Sequence, residues 1–178
     1  IGSRAVAAVG TAGFYTWLAM AFILIPKIGA EVGVAQSVGK DDMVEAKVYI
    51  RHSLQMIVAI AILYGLVLLT FRDPLIGFFN LAEADVINDA TTYLYIISFG
   101  IIFYFINPVF TAIFNGYGES RTPFIINSIG LIVNMVLDPL MILGIGPFPR
   151  LEVAGAAIAT VIAQVTVTII FIIKAKTR

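Results

Sequence analysis

Asn134 and Asp138 stand one helical turn apart in the run "NMVLDPLMIL", with Pro139 directly after the acid. The run is otherwise apolar. An acid at the centre of a membrane helix costs about 2.5–3.5 kcal/mol on insertion scales. Burial disfavours the charged form, so such a carboxyl has to hold either a proton or a small positive ion. Pro139 lacks an N–H, which leaves the carbonyl of Met135 without its usual helical partner. A hard cation takes several oxygen ligands. The Asp138 carboxylate, the Asn134 amide oxygen, the Thr160 hydroxyl and a freed carbonyl would make such a set for Na⁺, whereas a lone buried acid suits H⁺. Every other acid falls in a loop or near a predicted helix end.

Polar residues elsewhere in the apolar segments keep to helical faces. Asn127, Asn134 and Asp138 are spaced i, i+7, i+11 and fall within about 20° of one line. Tyr93, Gly100, Tyr104, Asn107 and Thr111 share one face of the preceding segment within about 40°. Thr160, Gln164 and Thr168 climb one side of the following segment. Groups like these are costly against lipid, so the three faces are expected to meet as a cavity wall or as glue between helices. Tyr93, Tyr104, Asn107, Thr111 and Gln164 are the substrate-cavity candidates. Their competing readings are interhelical hydrogen bonds for Asn107, Gln164 and Thr168, an interfacial belt for Tyr93, and a wet position for Asn127. Lys27 and Glu31 have the spacing of a helical ion pair, expected to be solvated beyond the membrane. Gly29 and Gly33 suit close helix packing, and His52 suits the interface.

The elements that must carry these residues follow from composition. The chain has 178 residues, is 60% hydrophobic and only 12% charged, with a mean hydropathy of +1.00. A soluble domain of this size is about half apolar and a quarter charged. The apolar runs are each long enough to cross about 30 Å of hydrocarbon. The reading is an all-α membrane protein, a single transmembrane domain over 1–178, with helices over about 3–38, 42–71, 83–115, 122–143 and 153–173. The connections carry turn chemistry. "GKDD" offers Asp41 or Asp42 as an N-cap, and "NGYGESRTP" and "GIGPFPRLEVAG" break one helix before the next begins. The acidic start "EADVINDA" is expected in water.

Five spans put Lys40, Lys47, Arg51, Arg121, Lys174, Lys176 and Arg178 on one side of the membrane, and Arg4, Arg72 and Arg150 on the other. The excess makes the first side cytoplasmic. The C-terminus is then cytoplasmic and the N-terminus outside, and the opening "IGSRAVAAVG" reads as a start part-way into a longer cell-membrane protein.

Several classes are excluded. Net charge is zero without a basic tract, so no nucleic-acid partner is expected. There is no cysteine, hence no thiolate nucleophile and no cysteine metal site. An intramembrane aspartyl protease needs two acids at depth and only Asp138 is present. A metalloprotease needs histidine ligands and His52 stands alone. Ser98 and Ser128 have no histidine base within the membrane. A channel would need a repeated filter or a charged ring. No enzyme activity and no cofactor are expected.

"GAEVGVAQSVGKDDMVEA", "NGYGESRTPFIINSIGLIVNMVLDPLMILG" and "VAGAAIATVIAQ" occur in an order and spacing that resemble the multidrug and toxic compound extrusion (MATE) transporters. The resemblance spans most of the chain. It implies helices 2–6 of a twelve-helix, two-lobe transporter, with the first helix and the second lobe supplied by the rest of the protein. It also implies a secondary antiporter in the lipid bilayer that exports a small-molecule substrate, an organic cation or amphiphile, in exchange for Na⁺ or H⁺. "NMVLDP" is similar to the DinF-like prokaryotic branch, where such an asparagine and aspartate contribute to the cation site of this lobe. Those roles would fall on Asn134 and Asp138, and the threonine of "GAAIAT" points to Thr160 as a further ligand. Tyr93 and Thr111 fall where that family has cavity-side polar residues. The branch also has an aspartate on its first helix, which this sequence does not contain, so the site is incomplete here. A flippase for lipid-linked sugars in the same superfamily is the alternative. It would need basic residues facing its cavity, and no Lys or Arg is expected within a span.

Overall fold

The first apolar run becomes one unbroken helix, α1 (Ser3–Gly39), which carries Pro26 without a break. Four more follow: α2 (Met43–Gly77), α3 (Ala84–Gly116), α4 (Arg121–Leu143) and α5 (Glu152–Lys176). The computed structural model describes residues 2–147 and 149–177; Arg178, counted above among the cytoplasmic charges, lies outside them. All five helices are long and apolar enough to cross a membrane. Side chains such as Leu63 and Trp17 point outward, 66% and 69% exposed. That is costly in water and natural in lipid.

Local chemistry sets the ends. Asp42, rather than Asp41, caps α2, its carboxylate accepting from the backbone N–H groups of Val44 and Glu45 at 3.1 and 2.8 Å. Gly144 closes α4 in the left-handed conformation, φ +70°, and the N–H of Ile145 bonds the carbonyl of Leu140 at 3.1 Å. The largest departure from the predicted bounds is α2, which runs to Gly77 rather than stopping near residue 71. Phe71 leaves helical geometry (φ −109°, ψ 16°) and the helix resumes around Pro74. Proline tolerates a first turn, so "RDPLIG" restarts a helix where a terminus was expected. Tyr15 fastens this extension by donating to the carbonyl of Leu75 at 2.6 Å. Tyr64 in turn donates to the carbonyl of Tyr15 at 2.5 Å.

α3 is the centre of the bundle, packed against α1, α2 and α5. α4 rests almost entirely on α5 and barely touches α3. Lipid tails are as apolar as leucine, so packing contacts and hydrogen bonds hold such helices together. Small residues let the backbones close in. A Cβ on Gly116 of α3 would meet the Cβ of Val34 on α1 at 2.8 Å, and one on Gly100 would meet Val161 of α5 at 2.5 Å. Gly33 packs under the Tyr49 ring, as expected for a close-packing glycine, but Gly29 faces open space. Arg4 pairs with Glu83 at 2.6 Å, which ties the start of α1 to the start of α3.

Candidate cation and substrate site

α4 and α5 together make the first half of the site. Asn134 and Asp138 lie one turn apart on α4, and the Asn134 amide donates to an Asp138 carboxylate oxygen at 3.4 Å. Both are half-buried. Among the described residues Asp138 has no ion pair. Thr160 stands opposite on α5, its hydroxyl donating back to the carbonyl of Ala156 at 2.9 Å. Its oxygen therefore keeps lone pairs for a cation. Tyr93 of α3 is buried, 8% exposed, with its hydroxyl directed at Thr160 and near Asp138. It is thus packed among the helices. Asn134, Thr160, Gln164 and Asn127 line one cavity of about 220 Å³ between α4 and α5. Asn134 and Thr160 therefore share this cavity, and Asp138 lies one turn beyond Asn134 on α4. As it stands, Asn134 turns its N–H toward the carboxylate. Rotation of the amide would present its oxygen to an ion beside Asp138.

The middle of the three helices is held by a hydrogen-bonded clamp. Asn107 is buried, 4% exposed. Its amide N–H donates to the backbone carbonyl and to the side-chain oxygen of Gln164, at 3.0 and 2.7 Å. Its oxygen accepts from the Thr168 hydroxyl at 2.7 Å. Both ends of the Asn107 amide are consumed by α5. Asn107 thus lines the cavity with its hydrogen-bonding capacity already spent, and the interhelical reading describes it best. Asn107→Leu is expected to cost about 1–2 kcal/mol, because membrane side-chain hydrogen bonds average about 0.6 kcal/mol each and the partners on α5 lose theirs together. Thermal unfolding in detergent measures this. A variant as stable as the wild type would mean that the clamp contributes nothing.

Nearer the start of α4, Asn127 donates to Thr111 of α3 at 3.1 Å. This bond joins two helices that otherwise hardly touch. Tyr104 and Thr111 line a second cavity of about 240 Å³ that α1 also reaches. The predicted cavity residues therefore divide. Tyr93 belongs with the cation cluster, Tyr104 and Thr111 with the second cavity, and Gln164 with both cavities.

Sequence reasoning misplaced Lys27. It was expected in an ion pair with Glu31 beyond the membrane, but among the described residues that pair is not formed. Glu31 instead accepts from the Asn115 amide at 3.4 Å, and Lys27 lines the second cavity beside Tyr104, Asn107 and Gln164. Lys27 belongs to α1, one of the five helices long and apolar enough to cross a membrane, and it shares this cavity with Gln164 from the middle of α5. A signal for this was present. Ile23, Ala30 and Val34, at i−4, i+3 and i+7 from Lys27, are all buried, so Lys27 shares the inward face of α1.

A family model described as MatE matches residues 1–140. The chain belongs to the MatE family. A probable multidrug resistance protein NorM of Thermotoga maritima is 30% identical over 164 residues, 90% of this chain and 34% of that protein. The FAD transporter of Shewanella oneidensis is 31% identical over 163 residues, 90% of this chain and 35% of that protein. A multidrug resistance MATE family transporter of the MOP superfamily, solved facing inward, superposes with a TM-score of 0.85 at 25% identity. The match covers 96% of this chain and 38% of that one. The chain thus spans about a third of the length of the proteins it resembles. MATE family members are multi-pass membrane transporters and not enzymes, and the five-helix arrangement is a fragment of their fold.

Proposed function

We propose that this chain is a single transmembrane unit, helices 2–6 of the N-terminal lobe of a two-lobe secondary antiporter. In this reading the whole protein exports cationic or amphiphilic organic compounds from the cell in exchange for Na⁺ or H⁺. One observation carries the proposal: Asp138 lies in an apolar helix beside Asn134 and near Tyr93, one turn from a polar cavity that Asn134 and Thr160 line, and among the described residues it has no ion pair. A carboxyl so placed can take up a small cation from one side and give it up to the other. Binding need only favour one packing of α3, α4 and α5 over another for the ion gradient to drive the cycle. α4, resting almost entirely on α5, can shift without disturbing α1 or α2.

Asp138, Asn134 and Thr160 are the proposed cation ligands. Tyr93, Tyr104, Thr111 and Gln164 face the substrate path, with Asn107 bracing it. The C-terminal end of α5, with Lys174 and Lys176 in its last turn, is proposed to lie in the cytoplasm. Relatives named as multidrug resistance and FAD transport proteins support a small organic cargo. A single lysine falls short of the basic lining that a lipid-linked pyrophosphate would need, so the flippase reading stays second. Vesicles holding the full-length protein test the proposal. A pH gradient or a sodium gradient, imposed separately, is expected to drive export of a fluorescent organic dye, and the effective gradient names the coupling ion. Export that neither gradient affects would overturn the antiporter reading.

A further inference from the structure

The cavity of about 240 Å³ where α1 meets α3, α4 and α5 has Lys27 in its wall, with Met20, Tyr104, Pro108, Thr111 and Gln164 around it. We propose that Lys27 is an anion-recognition group on the export path, and that the cargo includes amphiphiles carrying a carboxylate or phosphate beside an aromatic body. This rests on the exporter reading and narrows its substrate class.

A lysine inside a membrane-spanning helix costs up to about 2.5–3.5 kcal/mol on insertion scales unless water or an anion meets it. No acid among the described residues forms an ion pair with it. Glu31, one turn along α1, is held by Asn115. Asp138 is placed on α4 with Asn134, one turn from the adjoining cavity between α4 and α5. The other strong polar groups near Lys27 are taken: Asn107 is bonded to Gln164 and Thr168, and Asn127 donates to Thr111 and to the carbonyl of Pro123. The ammonium, with three N–H donors and no acceptor, is left as the group able to receive a negative charge. The Tyr104 ring and the Met20 thioether beside it suit a flat apolar body. Drug-sized pockets run to about 300–1,000 Å³, so this smaller cavity seats the charged end of a cargo and the part of its ring system next to that charge. Anion and coupling cation then use different residues, Lys27 and Asp138, and need not compete.

The test compares three dyes in vesicles of the full-length protein: carboxyfluorescein, 4-methylumbelliferyl phosphate and the cation ethidium. Lys27→Gln is expected to raise KM for at least one anionic dye about tenfold or more, the loss of one charge-assisted hydrogen bond. KM for ethidium should hold or fall, so the anion-to-cation selectivity drops. Lys27→Arg should keep the wild-type selectivity, which a purely structural role would not require. Export of ethidium but of neither anion by the wild type overturns the assignment, as does an equal loss of all dyes in Lys27→Gln. If the wild type exports none of the three, the exporter reading falls and the role of Lys27 with it.

Discussion

Asp138→Asn is expected to lower gradient-driven dye efflux about 10- to 100-fold in the full-length protein, the loss of one charge-assisted interaction with the coupling ion. The amide is isosteric and can keep a hydrogen bond to Asn134, so the change removes the exchangeable charge and little else. It also removes a carboxyl whose presence inside the membrane costs about 2.5–3.5 kcal/mol. The variant should therefore be at least as stable as the wild type while transporting poorly, a pattern expected of a functional residue and not of a packing residue. Asn134→Ala should weaken coupling less, because water can replace one neutral ligand in a cavity of about 220 Å³. Efflux and thermal stability measured on the same preparations decide the matter. Wild-type efflux by Asp138→Asn would remove the acid from the mechanism.

Gly155→Val should be the most damaging substitution in the α4–α5 contact. A Cβ at Gly155 would stand 2.6 Å from the carbonyl oxygen of Met141, 2.7 Å from its carbon and 3.0 Å from the nitrogen of Ile142. All three are backbone atoms, so nothing can rotate aside and α4 itself has to move. Overpacking of this kind costs about 1–3 kcal/mol, and here it acts on a helix that has almost no other support. Met141 lies less than one turn beyond Asp138, so the displacement would also carry the carboxyl away from Thr160. Lower yield of folded protein, a lower melting temperature in detergent and lost efflux are expected together. Gly155→Ala should show the same losses in smaller measure. A valine variant that melts with the wild type would show that the close crossing is not needed.

The relation between chain and structure is clearest in these residues. The five spans were legible because a bilayer demands long apolar runs with internally paired backbones, a one-dimensional requirement written directly in the order of residues. The Asp42 cap was legible for the same reason, since a cap is a matter of neighbours two and three positions away. The polar stripes could be read too, because the helical repeat fixes which residues share a face. The candidate cation ligands drew on both: i, i+4 spacing brought Asn134 to Asp138, and Thr160 joined them as an oxygen on the polar face of the next helix, a choice that resemblance to a known family supported.

Other features depended on how helices meet. Periodicity orients each face relative to its own axis and leaves open which neighbour that face will find, and at what depth. Lys27 read as half of a surface pair because Glu31 is one turn away; only the approach of α3, set by Gly116 against Val34, gave Glu31 to Asn115 and turned Lys27 into the cavity. For Asn107 the sequence leaves a cavity role and an interhelical hydrogen bond both open, and α5 decides between them by supplying Gln164 and Thr168 to both ends of its amide. α2 read as ending near Phe71 because Pro74 breaks a continuous helix, whereas Tyr15 of another helix secures the resumed turn. The sequence by itself determined how many helices cross the membrane, where an acid lies within them and which residues line each face. The tertiary structure decided which faces meet, because rotation and depth are set by close contacts between small residues far apart in the chain.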